Sequence, residues 1–177
     1  MRHDLASLIA YLDGLEERVF LPDLVARLTR IDVSVDDLRE HVRFSYSQYT
    51  RNLVSSGPWY NLLVLCWRNG QRSPIHDHMG SSCGVRILQG DAAETVFDLA
   101  PNGHVWAVGT RFHREGSVMG SQDTDMHQVS NLQGDDADLV TLHVYSPPLL
   151  WMGTYSMLDV TRGQEPMFLE FSEAAGI

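Results

Sequence analysis

Cysteine is scarce in this chain of 177 residues, occurring only as Cys66 and Cys83. Both lie in strand-like surroundings, so no disulfide framework is indicated, and a reducing compartment would disfavour one. Clusters of basic residues are missing too. With 13 Lys and Arg against 23 Asp and Glu the formal charge is −10, whereas a nucleic-acid partner needs a basic footprint to neutralise phosphates. Small molecules are the expected partners of such an acidic chain. No apolar run approaches the roughly 20 residues of a membrane span, and Asp4 and Asp13 near the N-terminus are foreign to a secretory signal. These absences lead to the expectation of a cytoplasmic protein without membrane or nucleic-acid partners. Internal repeats and low-complexity segments are absent as well. What remains is 44% hydrophobic residues with scattered charge, which suits one globular domain over residues 1–177 with a sizeable core. A monomer is the expected state.

Two periodicities divide the chain. From Leu5 to Val19 the residues Leu5, Leu8, Ile9, Leu12, Leu15 and Val19 recur at three- and four-residue spacing, which predicts a helix with one buried face. Pro22 suits the first turn of a second helix carrying Leu24, Val25 and Leu28. Ser34 with Asp37 three residues on is a weaker form of a capping box ahead of Leu38 and Val42. Residues 1–45 therefore read as a helical layer. Beyond them the pattern turns to β. Tyr60 to Trp67 is a continuous apolar run, Val85 to Leu88 and Thr95 to Phe97 are β-prone, and Asn102-Gly103 is a hairpin turn before Val105-Trp106. Leu139 to Tyr145, Thr154 to Val160 and Met167 to Phe171 complete the series. Residues 46–177 are thus expected to form a mainly β sandwich or small barrel with N-terminal helices packed on it.

Within the β region, His76 and His78 stand at i and i+2. Side chains alternate faces on an extended strand, so both imidazoles can reach one metal ion, and Asp77 between them should face the other way as a supporting residue. The spacing of Gly70, His76, His78, Cys83 and Gly90 resembles the first metal-binding motif of the cupin superfamily, with Cys83 in place of the usual acidic residue. Gly116, His127 and Asn131 resemble the second. The resemblance implies a cupin, a small jelly-roll β-barrel, with a metal held by His76, His78 and His127. Three neutral imidazoles leave open positions and keep the full charge of a divalent metal, which favours an incoming anion such as a thiolate.

The runs Tyr49-Thr50-Arg51-Asn52-Leu53-Val54, Leu65-Cys66-Trp67, His76-Asp77-His78, Met126-His127-Gln128-Val129-Ser130-Asn131 and Leu142-His143-Val144-Tyr145-Ser146-Pro147-Pro148, together with Cys83, resemble cysteine dioxygenase. The likeness extends from about Tyr49 to Pro148. It implies a mononuclear non-haem Fe(II) enzyme of cysteine catabolism, which converts L-cysteine and O2 to cysteine sulfinic acid. It also implies that Arg51 pairs with the substrate carboxylate, for which a guanidinium fork is well suited, and that Tyr49 helps to orient the substrate. Thr141, His143 and Tyr145 alternate along one predicted strand and can form a hydrogen-bond relay. The family usually has serine at the Thr141 position, a change that keeps the hydroxyl. Cys83 and Tyr145 match the pair that forms a thioether in many animal members. Packing alone would also account for Tyr49, Cys83 and His143. Cys66 is expected to pack in its strand, and His3, His41, His104 and His113 fall outside the motif spacings and are assigned to the surface or to turns.

Two rivals stay open. One is a dioxygenase of another small thiol such as 3-mercaptopropionate, whose enzymes usually carry glutamine where Arg51 stands. The other is a non-catalytic cupin that senses a metal or small ligand. A Zn or Mn isomerase fits poorly without the acidic ligand.

Overall fold

A carboxylate and a glycine set the limits of the first helix. In the computed structural model, which describes residues 4–167, α1 runs Leu5–Asp13. Asp4 caps it by accepting from the Ser7 N–H at 2.9 Å. Gly14 closes it, its N–H donating to the Tyr11 carbonyl at 3.2 Å and that of Leu15 to the Leu12 carbonyl at 3.1 Å. The predicted helix to Val19 is therefore too long by about a turn and a half. Val19 is buried all the same, because its backbone is clamped between strand ends: its N–H donates to Ser146 Oγ at 3.0 Å and its carbonyl accepts from Ser82 Oγ at 3.0 Å. α2, Leu21–Arg30, begins with Pro22 in its first turn as expected. Asp36–His41 is a short 3-10 helix rather than an α-helix. The Ser34–Asp37 reciprocity before it is present, with Ser34 N–H to Asp37 Oδ2 at 2.8 Å and Asp37 N–H to Ser34 Oγ at 3.4 Å.

Eleven strands follow among the described residues: β1 Thr50–Gly57, β2 Tyr60–Trp67, β3 Ile75–His76, β4 Ser82–Gln89, β5 Ala92–Leu99, β6 Val105–His113, β7 Val118–Gln122, β8 Met126–Ser130, β9 Leu139–Ser146, β10 Trp151–Tyr155 and β11 Arg162–Pro166. They form two antiparallel sheets, ordered β1-β2-β9-β4-β7 and β11-β10-β3-β8-β5-β6. This is the mainly β cupin architecture that the motifs implied. The Asn102-Gly103 turn joins β5 to β6 as predicted, with Gly103 at φ 83°.

Two strands near the C-terminus differ from expectation. The strand predicted over Thr154 to Val160 begins earlier, at Trp151, and ends at Tyr155. Beyond it Ser156 and Asp159 side chains accept from the N–H groups of Leu158 and Thr161, which turns the chain instead of extending it. The strand predicted over Met167 to Phe171 lies outside the described residues except for Met167, and β11 precedes it.

The helices cover one face of the first sheet. Leu8, Leu12, Leu24 and Leu28 pack with Leu62, Val64, Val140, Leu142 and Val144 in one buried cluster. α2 lies against a paired glycine step, Gly84 opposite Gly120. A Cβ on Gly84 would lie 2.7 Å from Leu28 and one on Gly120 would lie 2.7 Å from Val25. Those two positions must therefore be bare for the helix to seat. The opposite face of the same strands points into the barrel, where Leu63, Leu65, Trp67, Cys83, Val85, Ile87 and Tyr145 form the second cluster.

Candidate metal centre

His76 on β3 is paired directly with His127 on β8. His78 lies just beyond β3, held by its N–H donating to the Asp123 carbonyl at 2.9 Å. Their ring centroids are 4.8 to 5.2 Å apart, and one nitrogen from each lies within 4.8 Å of the others. All three side chains are buried. Burial, and then the nearness of His127, pushes the pKa of His76 down to about 3; burial likewise holds His78 well below 6.5. Both rings are neutral at pH 7 and present lone pairs.

The hydrogen bonds show which nitrogens are committed to the protein. His76 Nδ1 donates to the Pro74 carbonyl at 3.1 Å, and His127 Nδ1 donates to Glu94 Oε1 at 2.8 Å. That leaves Nε2 of each free. His78 Nδ1 is buried without a hydrogen-bond partner, and its Nε2 has only a 3.5 Å contact to Ser121 Oγ. A buried, unpartnered ring nitrogen is costly, and a metal ion gives it a partner. Three converging imidazoles with uncommitted nitrogens fit a divalent transition metal.

Asp77 faces away from the cluster, as its place between the histidines predicts. Its Oδ1 accepts from the Gly153 and Met79 N–H groups at 3.1 and 3.2 Å, and its Oδ2 accepts from the Tyr155 hydroxyl at 2.5 Å. A Cβ on Gly153 would fall 2.7 Å from that carboxylate, so the glycine makes room for the bond that ties β10 to the histidine segment.

The remaining predicted residues gather on the other side of the cluster. On β9, Thr141 Oγ1 lies 2.9 Å from His143 Nε2, and His143 Nδ1 lies 3.1 Å from the Tyr145 hydroxyl. Trp67 Nε1 donates to Thr141 Oγ1 at 3.0 Å, and the same hydroxyl reaches the Leu65 carbonyl at 3.5 Å. The indole, Thr141, His143 and Tyr145 thus form one continuous hydrogen-bonded row. The Tyr145 ring lies 6.3 Å from that of His78. Tyr49 stacks on Trp67, with centroids 4.1 Å apart, and Arg51 Nη2 donates to the Tyr49 hydroxyl. Tyr49, Arg51, Trp67, His76, His127 and Tyr145 line one cavity, and Arg51 and Tyr49 also face an outer hollow with Arg72 and Glu165.

A family model for cysteine dioxygenase type I matches residues 4–157. The cysteine dioxygenase type 1 of Rattus norvegicus is 34% identical over 150 residues, covering 81% of this chain and 74% of the rat protein. That of Homo sapiens is 34% identical over 151 residues, with the same coverage. The chain belongs to the cysteine dioxygenase type I family. It is accordingly a dioxygenase, an oxidoreductase with a metal site. Among solved structures, a double-stranded β-helix protein of Klebsiella pneumoniae superposes with a TM-score of 0.53 at 18% identity, covering 65% of this chain and 83% of that one, and shares the fold.

In this cysteine dioxygenase family member Cys83 lies opposite Tyr145 in the register of β4 and β9. Both side chains lie in the interior cluster. Burial pushes both well above their ordinary pKa values, so both are protonated at neutral pH. Cys66 is raised to about 11, chiefly by burial, and packs in β2 as expected.

Two supporting residues escaped the sequence reading. Glu94 is a buried carboxylate in β5 that accepts from His127, and its second oxygen lies 3.0 Å from His113 Nε2. Burial by itself would raise the Glu94 carboxyl, but the hydrogen bond from His127 and the nearby imidazoles hold it below the ordinary range. His113, expected at the surface or in a turn, stands at the end of β6 with its side chain 18% exposed. A signal existed: Glu94 is an acid inside the β-prone run Ala92-Ala93-Glu94-Thr95-Val96-Phe97.

Proposed function

We propose that this enzyme oxidises L-cysteine with O2 to cysteine sulfinic acid at a single Fe(II) held by His76, His78 and His127. Both oxygen atoms pass to the sulfur, so the thiol and O2 account for every atom of the product. Iron, when bound, supplies open coordination positions and the electron chemistry that side chains lack.

The chain's own residues supply charge, position and dryness. Arg51 binds the substrate carboxylate, and Tyr49, already bonded to Arg51 and stacked on Trp67, fixes where that guanidinium points. Trp67, Thr141 and His143 hold Tyr145 by a continuous row of hydrogen bonds with its hydroxyl beside the reacting group. The observation that carries the reading is this hydrogen-bonded row ending beside the histidine cluster, with Arg51 lining the same cavity. Metal retention alone would require neither. The register of Cys83 opposite Tyr145 supports a thioether between them: a bond from Sγ to the ring carbon beside the hydroxyl, with two hydrogens passed to O2, which is reduced to hydrogen peroxide. Such a link would hold the phenol in one rotamer and leave the intact protein lighter by two hydrogens. The chain would act as a monomeric single domain in the cytoplasm, within cysteine catabolism.

The test is O2 uptake by anaerobically purified, Fe(II)-loaded protein given L-cysteine, with product mass followed in parallel. Coupled uptake and a product heavier by two oxygen atoms are expected. If 3-mercaptopropionate is consumed faster than L-cysteine, the substrate assignment fails. If no thiol drives uptake while iron stays bound, a sensor becomes the better reading. Arg51→Gln is expected to weaken L-cysteine turnover by roughly 10-fold to 100-fold, as for a lost charged hydrogen bond, and to spare thiols without the amino-acid head group.

A further inference from the structure

The sequence led to a metal centre with no carboxylate, yet one stands a single imidazole away. Glu94 lies in the middle of β5, between β8 and β6. It is 7% exposed. Its two oxygens are used separately: Oε1 meets His127 Nδ1 at 2.8 Å, and Oε2 meets His113 Nε2 at 3.0 Å. A carboxylate accepts only, so His127 carries its proton on Nδ1 and turns the Nε2 lone pair to the cluster. The other two rings differ. His76 gives its Nδ1–H to a neutral carbonyl, and His78 Nδ1 has no hydrogen-bond partner.

We propose that Glu94 and His113 form a built support for the third ligand. Glu94 fixes the tautomer of His127 and lends it negative charge, and His113 holds Glu94 in that posture. Both are positioning residues: neither lines the cavity that Arg51 and Tyr145 share. A carboxylate on the far side of a metal-binding imidazole raises its basicity and fixes its ring. One of the three ligands is thereby the strong one, and the centre is less positive than three neutral imidazoles would leave it. His113 lies at the end of β6 with its side chain 18% exposed, so the support reaches from the buried cluster to the outermost strand of its sheet. The assignment rests on the reading that the three histidines bind a divalent metal, and it does not depend on which thiol is oxidised.

Metal affinity tests it without any turnover. Metal-free protein competes with a chromophoric chelator for Co(II) under anaerobic conditions, and the visible bands of the bound ion report its ligand field. Glu94→Gln keeps shape and removes charge. It is expected to weaken Co(II) binding by roughly 10-fold to 100-fold and to shift those bands, while the metal-free protein melts as the parent does. His113→Leu should weaken binding by roughly 3-fold to 10-fold, and His113→Gln, which keeps a donor for Glu94, by less than about 3-fold. Equal affinity and unchanged bands in Glu94→Gln would overturn the proposal. So would equal losses in the two His113 variants, which also carry the test if Glu94→Gln does not fold. A parent that binds no Co(II) overturns this proposal and the metal reading together. Failure of every thiol to drive O2 uptake, with the Co(II) pattern as expected, removes the substrate assignment alone.

Discussion

Residues 140, 142 and 144 of β9 face the helices, and residues 141, 143 and 145 face the barrel interior. Both sets are buried, but they are chemically unlike. The helix-facing set is Val, Leu and Val, packed on α1 and α2. The interior set is Thr, His and Tyr, joined by hydrogen bonds to each other and to Trp67. A strand can carry a polar row through a buried interior when every polar atom has a partner and when its other face supplies the apolar burial. On this strand the apolar burial lies on the helix side and the polar groups on the barrel side.

Removing an imidazole from the barrel side should have the largest effect on function and a small one on stability. His127→Ala is expected to lose stoichiometric metal and to lower kcat/KM by roughly a thousandfold or more, measured by metal analysis and O2 uptake. On the helix side, Leu142→Ala is expected to cost about 3 kcal/mol in urea unfolding, because it opens a cavity in the first cluster. Its kcat/KM, measured on folded protein, should stay near the parent's. A tenfold loss there would break the comparison.

Acid should find the barrel side first. In metal-free protein the His76 pKa is pushed down to about 3 and that of His143 well below 6.5, both chiefly by burial. The unfolded chain takes up those protons below 6.5 and the folded one does not. The stability these groups contribute is therefore full above pH 6.5 and is lost as pH falls towards about 3, at about 1.4 kcal/mol per pH unit for each histidine. Urea midpoints against pH, with chelator present, should show that slope, and His76→Ala should flatten it by about one proton. The smallest expected effect is Trp67→Phe. It leaves the three histidines alone and removes the donor that anchors Thr141, so kcat should fall by roughly 3-fold to 10-fold, with a shifted pH profile. An unchanged profile would show that the row holds without the indole.

The two faces differ in legibility too. The apolar run Tyr60–Trp67 identifies a strand buried on both sides, and the alternation Thr141, His143, Tyr145 places three polar groups on one face. Local spacing also reveals His76 and His78. The run around Glu94 marks an acid on a strand, but its partners are not legible: His127 is 33 residues away and His113 19, and they meet it only through the pairing of β5 with β8 and β6. Trp67 was legible as part of the family resemblance, but its bond to Thr141, 74 residues away, was not. The end of α1 was misread because Leu15 and Val19 continue the helical spacing. Gly14 was the signal to stop, and Val19 is buried by strand ends instead of by a helix face.

By itself the sequence determined the kinds of element, the histidine pair, the polar row on β9 and the family resemblance, since each depends on residue type and near-neighbour spacing. The tertiary structure alone decided which ring nitrogen of His76 and of His127 is left free, how the row on β9 is anchored to Trp67, and that a buried carboxylate meets His127. Those depend on contacts between strands far apart in sequence, and side-chain alternation fixes the face a residue occupies without fixing the partner it meets there.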